Sequence, residues 1–170
     1  MSLSMYEASV PVFSRGLTQL AEILDKAAAH AQAKKIDPAV LVNARLIPDM
    51  FPLPRQVQIA TDHARGACAR LAGLERPAYP DTETTFDDLQ TRIANTLAYL
   101  ETFKPAQIDG SENRVVTVPI RGTDTHFKGA PYLLGFAMPN FYFHTTTAYA
   151  ILRASGVDVG KADFIGPLPT

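Results

Sequence analysis

The chain has 170 residues, the length of about one domain. Apolar residues make up 46% and charged residues 19%, which excludes a disordered tail or an acidic linker. Sixteen basic against seventeen acidic residues leave a net charge of −1 with no Lys/Arg block, so the footprint of a nucleic-acid partner is not expected.

In chain order, the first helix is marked by Val10, Phe13, Leu17, Leu20 and Leu24, an apolar stripe at intervals of three and four. Pro11 leaves two readings, a start near Ser9 or an earlier start near Ser4 with a bend, and the earlier start is expected. Ile36 to Pro54 carries four prolines and reads as a long connection, with Asp37-Pro38 capping a short helix through Leu46. The second helix opens at Pro54 with the stripe Val57, Ala60, Ala64, Ala67 and Leu71, and Gly73 stands at its left-handed cap. Small side chains on that stripe allow a close neighbour.

Thr85-Phe86-Asp87-Asp88 is a capping-box signature with Asp88 in place of Glu or Gln, and Phe86, Leu89, Ile93, Leu97 and Leu100 form the third stripe before Pro105. The period then changes. Arg114 to Ile120 alternates, Arg121 to Asp124 is turn chemistry, and Thr125 to Phe127 is the returning strand of a small hairpin. The last helix is expected from Pro131 to Ser155, and the tail Val157 to Thr170 as an extended segment across the bundle. Gly129 to Leu152 holds no charged residue, yet its prolines, Asn140, His144 and three threonines argue for a helix surrounded by protein and against a membrane span. Met1 to Tyr6 does not read as a targeting signal. The expected fold is all-α, a single domain over 1–170, a four-helix bundle with long crossover connections and a small β-hairpin before the last helix.

His144 is the leading candidate for chemistry. It falls on the inward stripe of the last helix with Ala137, Phe141, Ala148 and Leu152, where an imidazole must find partners or a ligand. The competing reading is a core histidine satisfied by Asn140, a tyrosine or a water. His63 lies at the edge of the second helix's stripe and His30 is expected in solvent. No His-x-x-x-His or Cys-x-x-Cys pair is present, and Gly156 to Ala162 departs from a phosphate-binding loop in spacing and in its last residue. Asp62 points away from the second stripe. Cys68 is expected to be inert and buried, and a lone cysteine suits a reducing, cytoplasmic setting.

Arg45 to Leu53, Gln56-Val57, Asn140 to His144, Tyr149 to Arg153 and Gly160 to Phe164 together resemble an uncharacterised family within the DinB/YfiT-like superfamily, over nearly the whole chain. The resemblance implies a DinB-type bundle, often a homodimer, among metal-dependent enzymes that include thiol-dependent transferases and isomerases. That superfamily uses a His on the second helix and a His-x-x-x-His pair on the last. His144 matches the first of the pair, Ala148 replaces the second, and His63 is a candidate third, with Gln56 or Ala60 as alternatives. The expected site is therefore His144 and Gln56 as catalytic residues, with Asn140, Tyr149 and Gln56 around a small molecule. His144 and His63 would hold a divalent metal such as zinc or nickel in a partial or degenerate site. The alternative is a non-catalytic dimeric binding or structural protein, associating through the Ala60, Ala64 and Ala67 face and aromatics such as Tyr79.

Overall fold

The computed structural model describes residues 3–168. Its elements are α1 (Val10–Lys34), α2 (Pro38–Val42), α3 (Leu53–Leu71), α4 (Phe86–Glu101) and α5 (Pro105–Ile108), then strands β1 (Val115–Ile120) and β2 (Thr123–Lys128). After them come α6 (Gly129–Tyr132), a π-helical turn (Leu133–Ala137), α7 (Met138–Ala154) and α8 (Lys161–Ile165). The four long helices, α1, α3, α4 and α7, form the bundle.

Around the bundle the order is α1, α4, α3, α7, since α1 packs on α4 and α7, and α3 packs on α4 and α7. Helices consecutive in sequence therefore lie on diagonals twice, from α1 to α3 and from α4 to α7. Each diagonal step needs a long connection. The first is the Pro-rich segment Lys35–Pro52, and the second carries α5, the hairpin and α6.

The apolar stripes fill the centre. Phe13, Leu17, Ala60, Ala64, Ala67, Phe141, Ala148 and Leu152 are all fully buried. The Ala60–Ala67 stripe packs inside the protomer and offers no surface for a second copy. Its small side chains let α7 come close, and Phe141 then meets Phe13 edge-on at 5.0 Å between ring centroids. Each large buried side chain of this kind contributes about 1.5–3 kcal/mol through removal from water.

Local chemistry sets the element ends. Helix α1 begins at Val10, not near Ser4: Met5–Ser9 forms separate turns, with Ala8 N–H donating to Ser4 O at 2.9 Å, and Pro11 sits in the first turn where a missing N–H loses nothing. Helix α2 stops at Val42, short of Leu46, with Asp37 accepting from Ala39 N–H at 2.9 Å. Gly73 takes the left-handed position (φ +74°) after α3, as expected. The Thr85–Asp88 capping box forms in both directions, at 3.1 Å and 2.9 Å.

The hairpin turn is two residues long, not four, with Ile120 opposite Thr123. Arg121 (φ +51°) and Gly122 (φ +81°) both adopt left-handed backbone, matching the strand twist. The last helical run starts at Gly129 and shifts to π spacing over Leu133–Ala137. Pro139 has no N–H for the carbonyl four residues back, which disturbs the helical ladder here. The tail is not wholly extended: it forms α8, packed on α1 and held by Arg15 donating to the Ile165 and Pro167 carbonyls at 2.8 and 2.6 Å. The outermost residues of the sequence at both ends, 1–2 and 169–170, lie outside the described residues. No helix among those described is long and apolar enough to cross a membrane.

Candidate functional site

His144 leaves α7 toward α3 and meets Gln56 from its first turns. His144 Nδ1 lies 2.7 Å from Gln56 Oε1, and Gln56 Nε2 donates to the Phe51 carbonyl at 3.0 Å. The second bond orients the amide, so the oxygen faces the ring. An amide oxygen only accepts, which places the proton on Nδ1 and leaves the lone pair on Nε2. Nε2 has no partner among the described residues and is not sealed from the surface. The His144 side chain borders a cavity of about 210 Å³ lined also by Asp49, Met50, Phe51 and Phe143.

His63, on α3, is brought beside it. The two rings are nearly parallel with centroids 6.3 Å apart, and Phe136 of the π-helical turn packs on His63 at 5.6 Å. Burial lowers the pKa of both rings to about 4, helped at His63 by His144 and at His144 by Arg55. Both imidazoles are therefore neutral at physiological pH. The candidates Asn140 and Tyr149 do not join them through any hydrogen bond. Asn140 donates to the Phe136 carbonyl of its own helical run at 2.7 Å, and Tyr149, about 140° around α7 from His144, packs on Phe164 at 5.9 Å.

A catalytic divalent metal needs three protein ligands and an open position. Here the donor set stops at His63 and His144. One nitrogen of His144 is held by Gln56, and Ala148 presents a methyl one turn on. No group of three or more His, Cys, Asp or Glu side chains suited to a metal ion forms among the described residues. The residues present do not fit a catalytic zinc or nickel centre. Cys68 is buried and its thiol is pushed well up by that burial, in keeping with an inert side chain.

The sequence reading missed a cluster of charge on the far side of α3. Asp62, which points away from the second stripe, is shared by Arg65, Arg76 (2.6 Å) and Arg92 (3.0 Å). Burial alone would raise the Asp62 pKa, but the guanidiniums outweigh it and hold the carboxyl below its usual range. Arg92 also bonds Glu83 at 2.8 Å and the Pro80 carbonyl at 3.1 Å; Arg65 reaches the Pro77 carbonyl and lies 3.5 Å over the Tyr79 ring. Tyr79 is thus half-buried, with one face of its ring against Arg65. The cluster fastens the loop Ala72–Thr85 to α3 and α4, a structural task. The spacing Asp62-x-x-Arg65 on one helix face was the available signal.

Comparison with known proteins adds the following. A family model described as a domain of unknown function, DUF1993, matches residues 5–165. The chain is similar to the crystal structure of a DinB family member protein from Shewanella denitrificans, with 44% identity and a TM-score of 0.91, covering 97% of this chain and 93% of that one. Among the curated proteins there is no match.

Proposed function

The chain belongs to the DUF1993 family, with a DinB-like helical bundle, and from that premise we propose that it binds a small molecule at the His144 end of the bundle as a metal-independent, transferase-like enzyme. The observation that carries this reading is the bond from His144 Nδ1 to Gln56 Oε1, with Nε2 unpaired on a ring that borders a cavity. Gln56 orients the ring. Nε2 then accepts the hydrogen of a ligand thiol or hydroxyl. An imidazole with a pKa near 4 does not take that proton fully in the ground state. It takes it only as the ligand atom bonds to its electrophile, when the S–H or O–H becomes more acidic and the electrophile's leaving group departs with the electron pair of the bond that breaks. The thiol class comes from the family resemblance, and the lone buried thiol Cys68 suits a reducing, cytoplasmic setting.

The test is thermal unfolding and calorimetry with low-molecular-weight thiols, glutathione and cysteine among them. Wild type should gain melting temperature with one of them, and His144→Phe should stay folded and lose the gain. No response from wild type, or an equal response from the variant, overturns the reading. Elemental analysis of chelator-free protein should find well under one transition metal per chain.

A second reading, non-catalytic association of two copies, is favoured by one observation. Leu46, Ile47, Phe51, Tyr142 and Phe143 are exposed on neighbouring parts of α7 and the Ala44–Pro52 segment. Light scattering decides it: a monomeric mass at micromolar concentration rejects the dimer.

A further inference from the structure

His63 borders a second cavity, of about 420 Å³, that His144 does not line. Positive charge scattered along the sequence gathers there: Arg55, Arg70, Arg76 and Arg121 all border it, against the single carboxylate of Asp62. Asp62 is already divided among three guanidiniums. Arg55 is held by Asp81 at 2.5 Å. Arg70 and Arg121 have no acidic partner among the described residues; Arg70 donates only to the Tyr132 hydroxyl, at 3.2 Å.

Two backbone features support placing these guanidiniums here on purpose. Arg121 sits in left-handed backbone (φ +51°) at the first turn position, where Asn, Asp or Gly is far easier to accommodate. Gly66, buried in mid-helix at a propensity cost, lets the arginines lie flat on α3. A Cβ there would stand 2.5 Å from Arg70 Nη1 and 3.2 Å from Arg76 Cδ. The remaining wall is apolar, from Ile59, Val118 and Phe136.

We propose that this cavity is a binding site for a small organic anion, a phosphate or carboxylate head carried on an apolar body, with Arg70 and Arg121 gripping the head. Guanidiniums hold such heads through paired, charge-assisted hydrogen bonds. A concave wall with apolar lining and a few convergent donors suits a small molecule. The proposal stands apart from the role given to His144, and each can fail without the other.

The experiment is isothermal titration of the full chain, at low ionic strength, with phenyl phosphate, benzoate and inorganic phosphate in separate runs. At least one organic anion should bind, more tightly than inorganic phosphate, and which one binds identifies the head group. Arg121→Gln alone, at an exposed turn, should weaken binding, and the Arg70→Gln/Arg121→Gln pair should weaken it by about tenfold or more. Lys34→Gln, at an exposed position of α1 outside the cavity lining, should leave it unchanged. Absence of binding at millimolar probe, equal binding by both arginine variants, or equal weakening by Lys34→Gln overturns the proposal. Inorganic phosphate binding as tightly as the organic anions overturns its apolar half.

Discussion

Arg65 and Arg70 leave the same helix less than two turns apart and meet opposite surroundings. Arg65 is fully buried, with Asp62, the Pro77 carbonyl and the Tyr79 ring closing around its guanidinium. Arg70 finds a tyrosine hydroxyl and then the open cavity, with no carboxylate to answer it. A buried charge held by a carboxylate, a carbonyl and a ring, as Arg65 is although its Nε has no hydrogen-bond partner, holds the fold together and faces no cavity. A charge beside a cavity with its counterion missing is the one that can recognise something. The same contrast separates the two nitrogens of His144: Nδ1 is committed to Gln56, and Nε2 is not.

The comparison breaks most severely at Asp62. Asp62→Ala leaves Arg65 and Arg92, both buried, without their shared carboxylate, and should lower stability by about 3–4 kcal/mol in urea unfolding. A loss below about 1 kcal/mol would show that the cluster is not structural.

Acid should act next. Both imidazoles have folded pKa values near 4, below the usual 6.5, so between those values the unfolded chain binds more protons than the folded one. Stability should hold above about pH 6.5 and fall toward pH 4, by on the order of 5 kcal/mol for the pair. Asp62 and Glu83, whose carboxyls lie below their usual range, add a further fall at lower pH. A His63→Phe/His144→Phe variant should flatten the upper part of the curve; an unchanged slope there contradicts neutral rings.

His144→Phe is expected to be milder. The ring volume is retained and Gln56 loses one partner while keeping the Phe51 carbonyl, so the shift should stay within about 2 kcal/mol. Outright unfolding would assign the residue to the core. The smallest effect belongs to Arg121→Asn. Relief of left-handed strain should raise stability by about 0.5–1 kcal/mol, which a melting curve resolves, while removing a charge from the anion cavity.

Much of the frame was legible because it is written in local chemistry. Stripes at three and four residues marked the four long helices, Thr85 and Asp88 announced a capping box, and the alternation before Arg121 announced a strand. The inward placement of His144 followed from the same periodicity. What escaped was non-local. Asp62 draws its partners from α3, α4 and the loop between them, and the arginine cavity adds the hairpin, so no single stretch of sequence displays either. Tyr149 shows the opposite error: a neighbour in the motif, it leaves α7 on another side. Whether a helical bundle could complete a metal centre depended on a third ligand converging in space, and Ala148 occupies the place where one was wanted.

The central claim is that His144 is a neutral ring, protonated at Nδ1 against Gln56 and open at Nε2. Long-range ¹⁵N–¹H correlation spectra of the histidine rings, followed from pH 8 to pH 3.5, read tautomer and charge directly. The account predicts a protonated Nδ1, an unprotonated Nε2 and a midpoint near 4 that moves in Gln56→Leu. A ring protonated at Nε2, or one already cationic at pH 6, would contradict it.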